Sequence, residues 1–172
     1  MKRLALVSAI VLLPAIILML ANLPLRALPD GAKADRLIVE KSRHRLTLYA
    51  NGQTLRSYPV AFGRSAVGAK VCQGDRRTPE GNYLIDTRNP RSAFHLGLHI
   101  SYPNAGDRAR SRRAGCRPGG AIMLHGLPNG LGWIGRLHRL TDWTSGCIAV
   151  TNPEIAEIWR VVPVGTRIEI RP

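Results

Sequence analysis

Aromatic side chains are scarce in this 172-residue chain, at 5%, and acidic ones are outnumbered, with 11 Asp and Glu against 25 Lys and Arg and a formal net charge of +14. So basic a chain could hold nucleic acid through phosphate contacts. Its densest cluster, Arg108, Arg110, Arg112, Arg113 and Arg117, has no aromatic interleaved for base stacking and no recognised nucleic-acid motif. No nucleic-acid partner is therefore expected. The cluster reads as a solvated basic loop between Asn104 and Gly119, with attraction to anionic lipid head groups or an anionic polymer as its second use. Because it precedes the strand carrying His125, it is also a candidate lid.

Metal-ligand patterns are missing too. His95 and His99 stand four apart, a spacing that suits zinc only on a helix, and Gly97 and Pro103 argue against a helix. No other ligand pair accompanies them, so neither a metal nor a cofactor is expected. His44, between Arg43 and Arg45, reads as a solvated strand residue. There is no internal repeat and no low-complexity tract.

Long hydrophobic runs are limited to one. From Leu4 to Ala21 the chain carries no charge and a single hydroxyl, Ser8, over about 18 residues, just enough to span a bilayer although Pro14 would kink it. Ala21-Asn22-Leu23 before Pro24 fits a signal-peptidase site poorly, so an uncleaved anchor is favoured over a cleaved signal. Lys2 and Arg3 point to an N-terminus inside. Residues 1–25 thus form an anchor or signal segment, residues 26–35 a linker with breakers at Pro29, Asp30 and Gly31, and residues 36–172 one folded domain. The expected location is the periplasm or cell envelope, with anchoring in the inner membrane by residues 4–21. Cysteine is scarce and odd in number, at three. In an oxidising compartment Cys72 and Cys116 could pair and leave Cys147 free.

The domain reads as mostly β, a sandwich or barrel with a short C-terminal helix. Leu37–Val39 and Leu46–Tyr49 are strand-like, and Asn51-Gly52 carries a hairpin signal before Leu55, so the domain opens as a β-meander. Tyr58–Phe62, Tyr83–Asp86, Leu96–Ser101, Ala121–Leu124 and Thr166–Ile170 continue the pattern. One stretch reads as helix, with Asn152 as N-cap, Pro153 next, and Ile155, Ile158, Trp159 and Val162 on one face up to Pro163.

Chemistry concentrates at two places. Ile122-Met123-Leu124 runs into His125-Gly126, and Thr144-Ser145-Gly146 leads into Cys147-Ile148-Ala149, with Cys147 22 positions beyond His125. A free cysteine beside glycine is more often a buried structural residue. A histidine at a strand end and a tight turn whose N–H groups converge point instead to a thiol nucleophile with its base and oxyanion donors. His138, nine positions before Cys147, is the competing base.

Three ordered blocks, Gly74–Tyr83 with Thr78-Pro79-Glu80-Gly81, Met123–Gly126, and Thr144–Ile148 with Asn152, resemble the catalytic domain of YkuD-type L,D-transpeptidases, over about Arg36 to Pro172. The commonest pattern of that family has Ser-His-Gly-Cys, an apolar residue and Arg; this chain has Thr144, Ser145 and Ala149 at the serine, histidine and arginine. It resembles a branch with a Trp-Thr-x-Gly-Cys-Ile-Ala signature. The resemblance implies a β fold of that type and a peptidoglycan-modifying cysteine acyltransferase acting on murein stem peptides. It assigns Cys147 as nucleophile, His125 as general base and acid, the Gly126 carbonyl as the group orienting His125, and the N–H groups of Ser145, Gly146 and Cys147 as the oxyanion hole. Hydrolysis of the same linkages is the alternative outcome, and a wall-binding protein without chemistry is the reading from another class. The missing arginine implies a less depressed thiol pKa unless Arg136 or Arg139 reaches the site.

Overall fold

The computed structural model describes residues 13–24 and 26–172. The apolar run of residues 4–21 lies partly outside these. Residues 13–21 are helical, and among the described residues no helix is long and apolar enough to cross a membrane.

Strands β1 (Arg36–Glu40), β2 (Arg45–Ala50) and β3 (Gln53–Pro59) form the expected antiparallel meander. Asn51 and Gly52 make the β2–β3 turn with φ of 50° and 78°, the positive values a two-residue hairpin turn matched to strand twist requires. Further along come β4 (Gly81–Ser92), β5 (His95–Ile100), helix α1 (Ala105–Arg113), β6 (Met123–His125), a 3-10 segment over Gly132–Leu140, β7 (Ile148–Ala149), helix α2 (Asn152–Val161) and β8 (Arg167–Arg171).

The C-terminal strand closes the architecture. β8 lies parallel to β1, with Leu37 opposite Ile168 and Val39 opposite Ile170, and antiparallel to the first residues of β4. β4 is long enough to serve two neighbours in turn, since from Ile85 onward it pairs with β5. Register breaks between Ile85 and Thr87 and between Asn89 and Ser92 bend it. The result is one curled eight-stranded sheet in the order β3-β2-β1-β8-β4-β5-β6-β7. The site residues sit on its β6–β7 edge.

Helix α2 covers the sheet through Ile155, Ile158 and Val161, all at most 1% exposed, against Leu98, Ile100 and Leu124 in the same core. Fully burying one such side chain stabilises by roughly 1.5–3 kcal/mol, and truncating Ile155 to alanine costs about 2–5 kcal/mol. The helix cap falls one residue earlier than expected. Thr151 is the N-cap, its N–H donating to Glu154 Oε2 at 2.9 Å, while the Asn152 side chain accepts from Leu127 N–H at 2.8 Å instead.

Four other expectations are corrected. The arginine cluster is not a loop, because most of it lies on α1. Asn104 and Asp107 cap that helix reciprocally, Asp107 N–H to Asn104 Oδ1 at 3.0 Å and Asn104 N–H to Asp107 Oδ2 at 2.9 Å. With no apolar stripe in its sequence, the helix carried no periodic signal. His44 is not in a strand; it caps a 3-10 turn at φ 46° and bonds Asp142 Oδ2 at 3.0 Å. The run Tyr58–Phe62 ends as a strand at Pro59, and Ala61 makes an isolated bridge to Ala149. Within the stretch read as a linker, Leu28 and Ala34 are buried in the core, and Leu28 N–H donates to Glu157 Oε1 at 2.8 Å.

Candidate active site

Strands β6 and β7 bring the two distant motifs together. They run parallel, with Leu124 beside Ile148 and His125 beside Ala149. Cys147 lies immediately before β7, two positions ahead of the Ala149 that pairs with His125, so the register brings the segments carrying thiol and imidazole side by side. Ala149 itself is fully buried and bonded to Ala61 through both its N–H (2.8 Å) and its carbonyl (3.0 Å).

His125 is 3% exposed and its Nδ1 lies 2.6 Å from the Gly126 carbonyl oxygen. A carbonyl only accepts, so Nδ1 carries the proton and Nε2 the lone pair. Burial lowers the His125 pKa below its usual 6.5, partly offset by the Gly126 bond, so the ring is neutral at neutral pH. Phe94, with ring centroids 4.4 Å apart, and Trp143, at 5.8 Å, pack against the imidazole. A Cβ at Gly126 would lie 2.7 Å from Asn152 Oδ1, so a side chain there would have to displace the Asn152 amide.

The Cys147 thiol is partly exposed and donates weakly to the Ala121 carbonyl at 3.6 Å. Burial raises its pKa above the usual 9.0, while a main-chain bond from Met123 and the charge of Lys70 pull it back. The thiol is thus protonated at neutral pH and requires a base. Around it the turn is rigid: Thr144 Oγ1 donates to the Cys147 carbonyl at 2.8 Å and accepts from Gly146 N–H at 3.1 Å. Of the three expected oxyanion donors, one is thus engaged within the turn. Gly146 N–H is occupied, and the N–H groups of Ser145 and Cys147 are those without an acceptor among the described residues. Gly146 sits at φ 129°, with a Cβ placed 2.6 Å from the Arg77 carbonyl, so only glycine fits.

Cys147 and Ser145 line a pocket of about 370 Å³ whose other walls include Lys70, Gln73, Arg76 and Gly119. The wall is stapled, since Cys72 and Cys116 form a disulfide with Cα atoms 5.6 Å apart, leaving Cys147 the free cysteine. Neither candidate arginine reaches this pocket. Arg139 pairs with buried Glu154, and Arg136 donates to the Leu20 and Leu23 carbonyls at 3.3 and 3.0 Å. His138 is buried beside Trp143 rather than at the thiol, its Nδ1 accepting from Trp143 Nε1 at 3.3 Å. Burial, then Arg139, lowers its pKa to about 4. Lys70 and Phe94 had no individual signal in the sequence; Trp143 and Thr144 were visible only as parts of a motif.

A family model described as the L,D-transpeptidase catalytic domain, YkuD, matches residues 34–170. The curated "Putative L,D-transpeptidase YafK" of Escherichia coli (strain K12) is 33% identical over 113 residues, covering 64% of this chain and 38% of that protein. "Putative L,D-transpeptidase YkuD" of Bacillus licheniformis is 26% identical over 140 residues, 80% of this chain and 66% of that protein. Among solved structures, the helical cell shape determining protein Pgp2 of Campylobacter jejuni superposes with a TM-score of 0.63 at 20% identity, over 91% of this chain and 54% of that one. The chain therefore spans well under half of YafK and about half of Pgp2.

Proposed function

The chain belongs to the YkuD family of L,D-transpeptidase catalytic domains, and on that premise we propose that it is a peptidoglycan-modifying cysteine acyltransferase that takes stem tetrapeptides as acyl donors. The observation that carries this reading is the bond from His125 Nδ1–H to the Gly126 carbonyl, 2.6 Å. It holds the tautomer whose Nε2 can take a proton from Cys147 Sγ, and the β6–β7 register brings the two segments that carry these groups side by side.

The thiolate attacks the carbonyl that joins the diamino acid of the stem to its terminal D-alanine. The Sγ–C bond forms, the oxyanion takes the N–H bonds of Ser145 and Cys147, each worth about 3 kcal/mol, and the C–N bond then breaks. His125 returns its proton to the leaving amine. An amine acceptor resolves the thioester as a transpeptidase, and water resolves it as a hydrolase. Both partners of the thiol–imidazole pair begin neutral, so the pair acts by general base catalysis, not as a standing ion pair.

We place this activity in the cell envelope. The Cys72–Cys116 disulfide supports an oxidising compartment, and the apolar run of residues 4–21 supports an anchor in the inner membrane. Incubation with disaccharide-tetrapeptide and with a cross-linked dimer, beside a Cys147→Ala control, tests the reading. New cross-links establish transfer and conversion of dimer to monomers establishes hydrolysis; no change in either substrate contradicts the enzyme reading.

A further inference from the structure

The helix over residues 13–21 meets the domain in a fixed joint. Asn22 Nδ2 donates to the Trp133 carbonyl at 2.8 Å and to the Leu18 carbonyl at 2.9 Å. Arg136 donates to the carbonyls of Leu20 at 3.3 Å and Leu23 at 3.0 Å. A helix leaves its last carbonyls without partners, and here a guanidinium from the 3-10 segment Gly132–Leu140 supplies them. The backbones also approach closely, since a Cβ at Gly135 would lie 2.5 Å from the Ala21 carbonyl oxygen, at a φ of 50°. Apolar side chains stay uncovered on both sides of this joint. On the helix they include Ile16, Met19 and Leu20; on the domain they are Leu131, Trp133 at 60% exposure and Leu140 at 81%. Leu131 also lines an apolar groove with Pro128, Ile134 and Leu137. Apolar surface gathered in this way marks an interaction site. The charge around it has one sign: no Asp or Glu occurs from Met1 to Pro29 or from Leu127 to Thr141, whereas Arg26 and Arg136 do.

We propose that the 3-10 segment, led by Trp133, seats in the head-group layer of the bilayer that holds the apolar run of residues 4–21, so that the domain rests on the membrane in a fixed attitude and does not swing on a tether. The inference rests on the anchor reading above and names a second surface that meets the lipid. Position carries it. The apolar run ends at Ala21, so the boundary between hydrocarbon and head groups falls near Asn22, and Asn22 bonds Trp133 directly. Tryptophan favours that depth because its ring is apolar and its N–H polar. Arginine suits it too, burying its stem while its head reaches anionic phosphate. An anionic lipid surface matches a face with cations and no acid. The pocket that holds Cys147 shares no wall residue with the apolar groove, so the thiol stays open to substrate while this face is seated.

The test reconstitutes the whole chain in vesicles of phosphatidylethanolamine and phosphatidylglycerol, with plain acyl chains or with chains brominated near the head group. Bromine quenches an indole that it touches. Two readouts are taken: flotation with the vesicles, and loss of tryptophan emission to bromine. Wild type is expected to float and to lose emission. Trp133→Phe should float equally and lose none, because Trp143 and Trp159 lie elsewhere in the domain. An Asn22→Ala, Arg136→Ala double variant, with the joint loosened, should float and show reduced quenching. Wild type that floats without quenching, or quenching equal in wild type and Trp133→Phe, overturns the seat and leaves the anchor standing. A blue shift of Trp133 emission on reconstitution without quenching puts a second copy of the chain on this face and overturns the seat as well. Wild type that does not float removes the anchor, and the seat with it.

Discussion

Trp143 Nε1 donates to His138 Nδ1 at 3.3 Å, and the same indole stands edge-on to the His125 ring at 5.8 Å. The acceptor nitrogen must be unprotonated. His138 therefore links the protonation of a buried ring to the packing of the proposed base.

This link makes stability pH-dependent with a definite sign. The unfolded chain takes up the His138 proton near 6.5, and the folded chain resists until about 4. Stability is therefore undiminished above 6.5 and falls as pH drops toward 4, by up to about 3 kcal/mol, with His125 adding in the same direction. Denaturant unfolding from pH 7 to 4 should show this slope, and His138→Gln should flatten it in part. An unchanged slope in that variant contradicts the assignment.

Activity should have its acid limb below pH 6.5, because His125 must be neutral to accept the thiol proton and burial lowers its pKa. The pH profile of kcat/KM should be flat through neutrality, since the Cys147 pKa is raised above 9.0 and no thiolate preforms there. His125→Asn should lower the rate by about 10²- to 10⁴-fold. A rate rising steeply between pH 7 and 8.5 would mean that preformed thiolate, not general base catalysis, carries the reaction.

Gly146→Ala forces a side chain onto φ 129° with its Cβ 2.6 Å from the Arg77 carbonyl. The turn must shift, and with it the Ser145 and Cys147 N–H groups. A loss of at least about 10²-fold in acylation is expected, the scale of one oxyanion donor, with iodoacetamide still reacting at Cys147. Retention of full acylation would place the oxyanion elsewhere.

The disulfide closes a loop with sequence separation 44. Replacing Cys72 and Cys116 together with serine should lower stability by about 2–4 kcal/mol and weaken acylation through the segment that presents Lys70. Non-reducing peptide mapping should find only Cys147 alkylated in the native protein. Alkylated Cys72 would contradict the pairing.

Sequence and structure agree where the signal is local. The Asn51-Gly52 turn, the meander before it and the apolar face Ile155–Ile158 were legible because turn chemistry and periodicity act over a few residues. The order His125-Gly126 then Ser145-Gly146-Cys147 was legible because the first motif closes β6 and the second leads directly into its partner strand β7. α1 was not, since Ala105–Arg113 has a capping box but no apolar stripe, and a helix held by its cap, the disulfide and Ser111 leaves no period to read. Lys70 was missed for a different reason. Its place beside Cys147 depends on a loop brought across the fold by long-range bonds. The occupied Gly146 N–H followed from a rotamer, that of Thr144, which no sequence pattern specifies.

The most direct test of the central claim is the intact mass of the protein after brief mixing with stem tetrapeptide, followed by mapping of the modified peptide. The account predicts an adduct equal to the tetrapeptide less its terminal D-alanine, borne by Cys147, absent in Cys147→Ala and strongly slowed in His125→Asn. An unmodified Cys147 with no D-alanine released, in protein whose thiol still reacts with iodoacetamide, would contradict it.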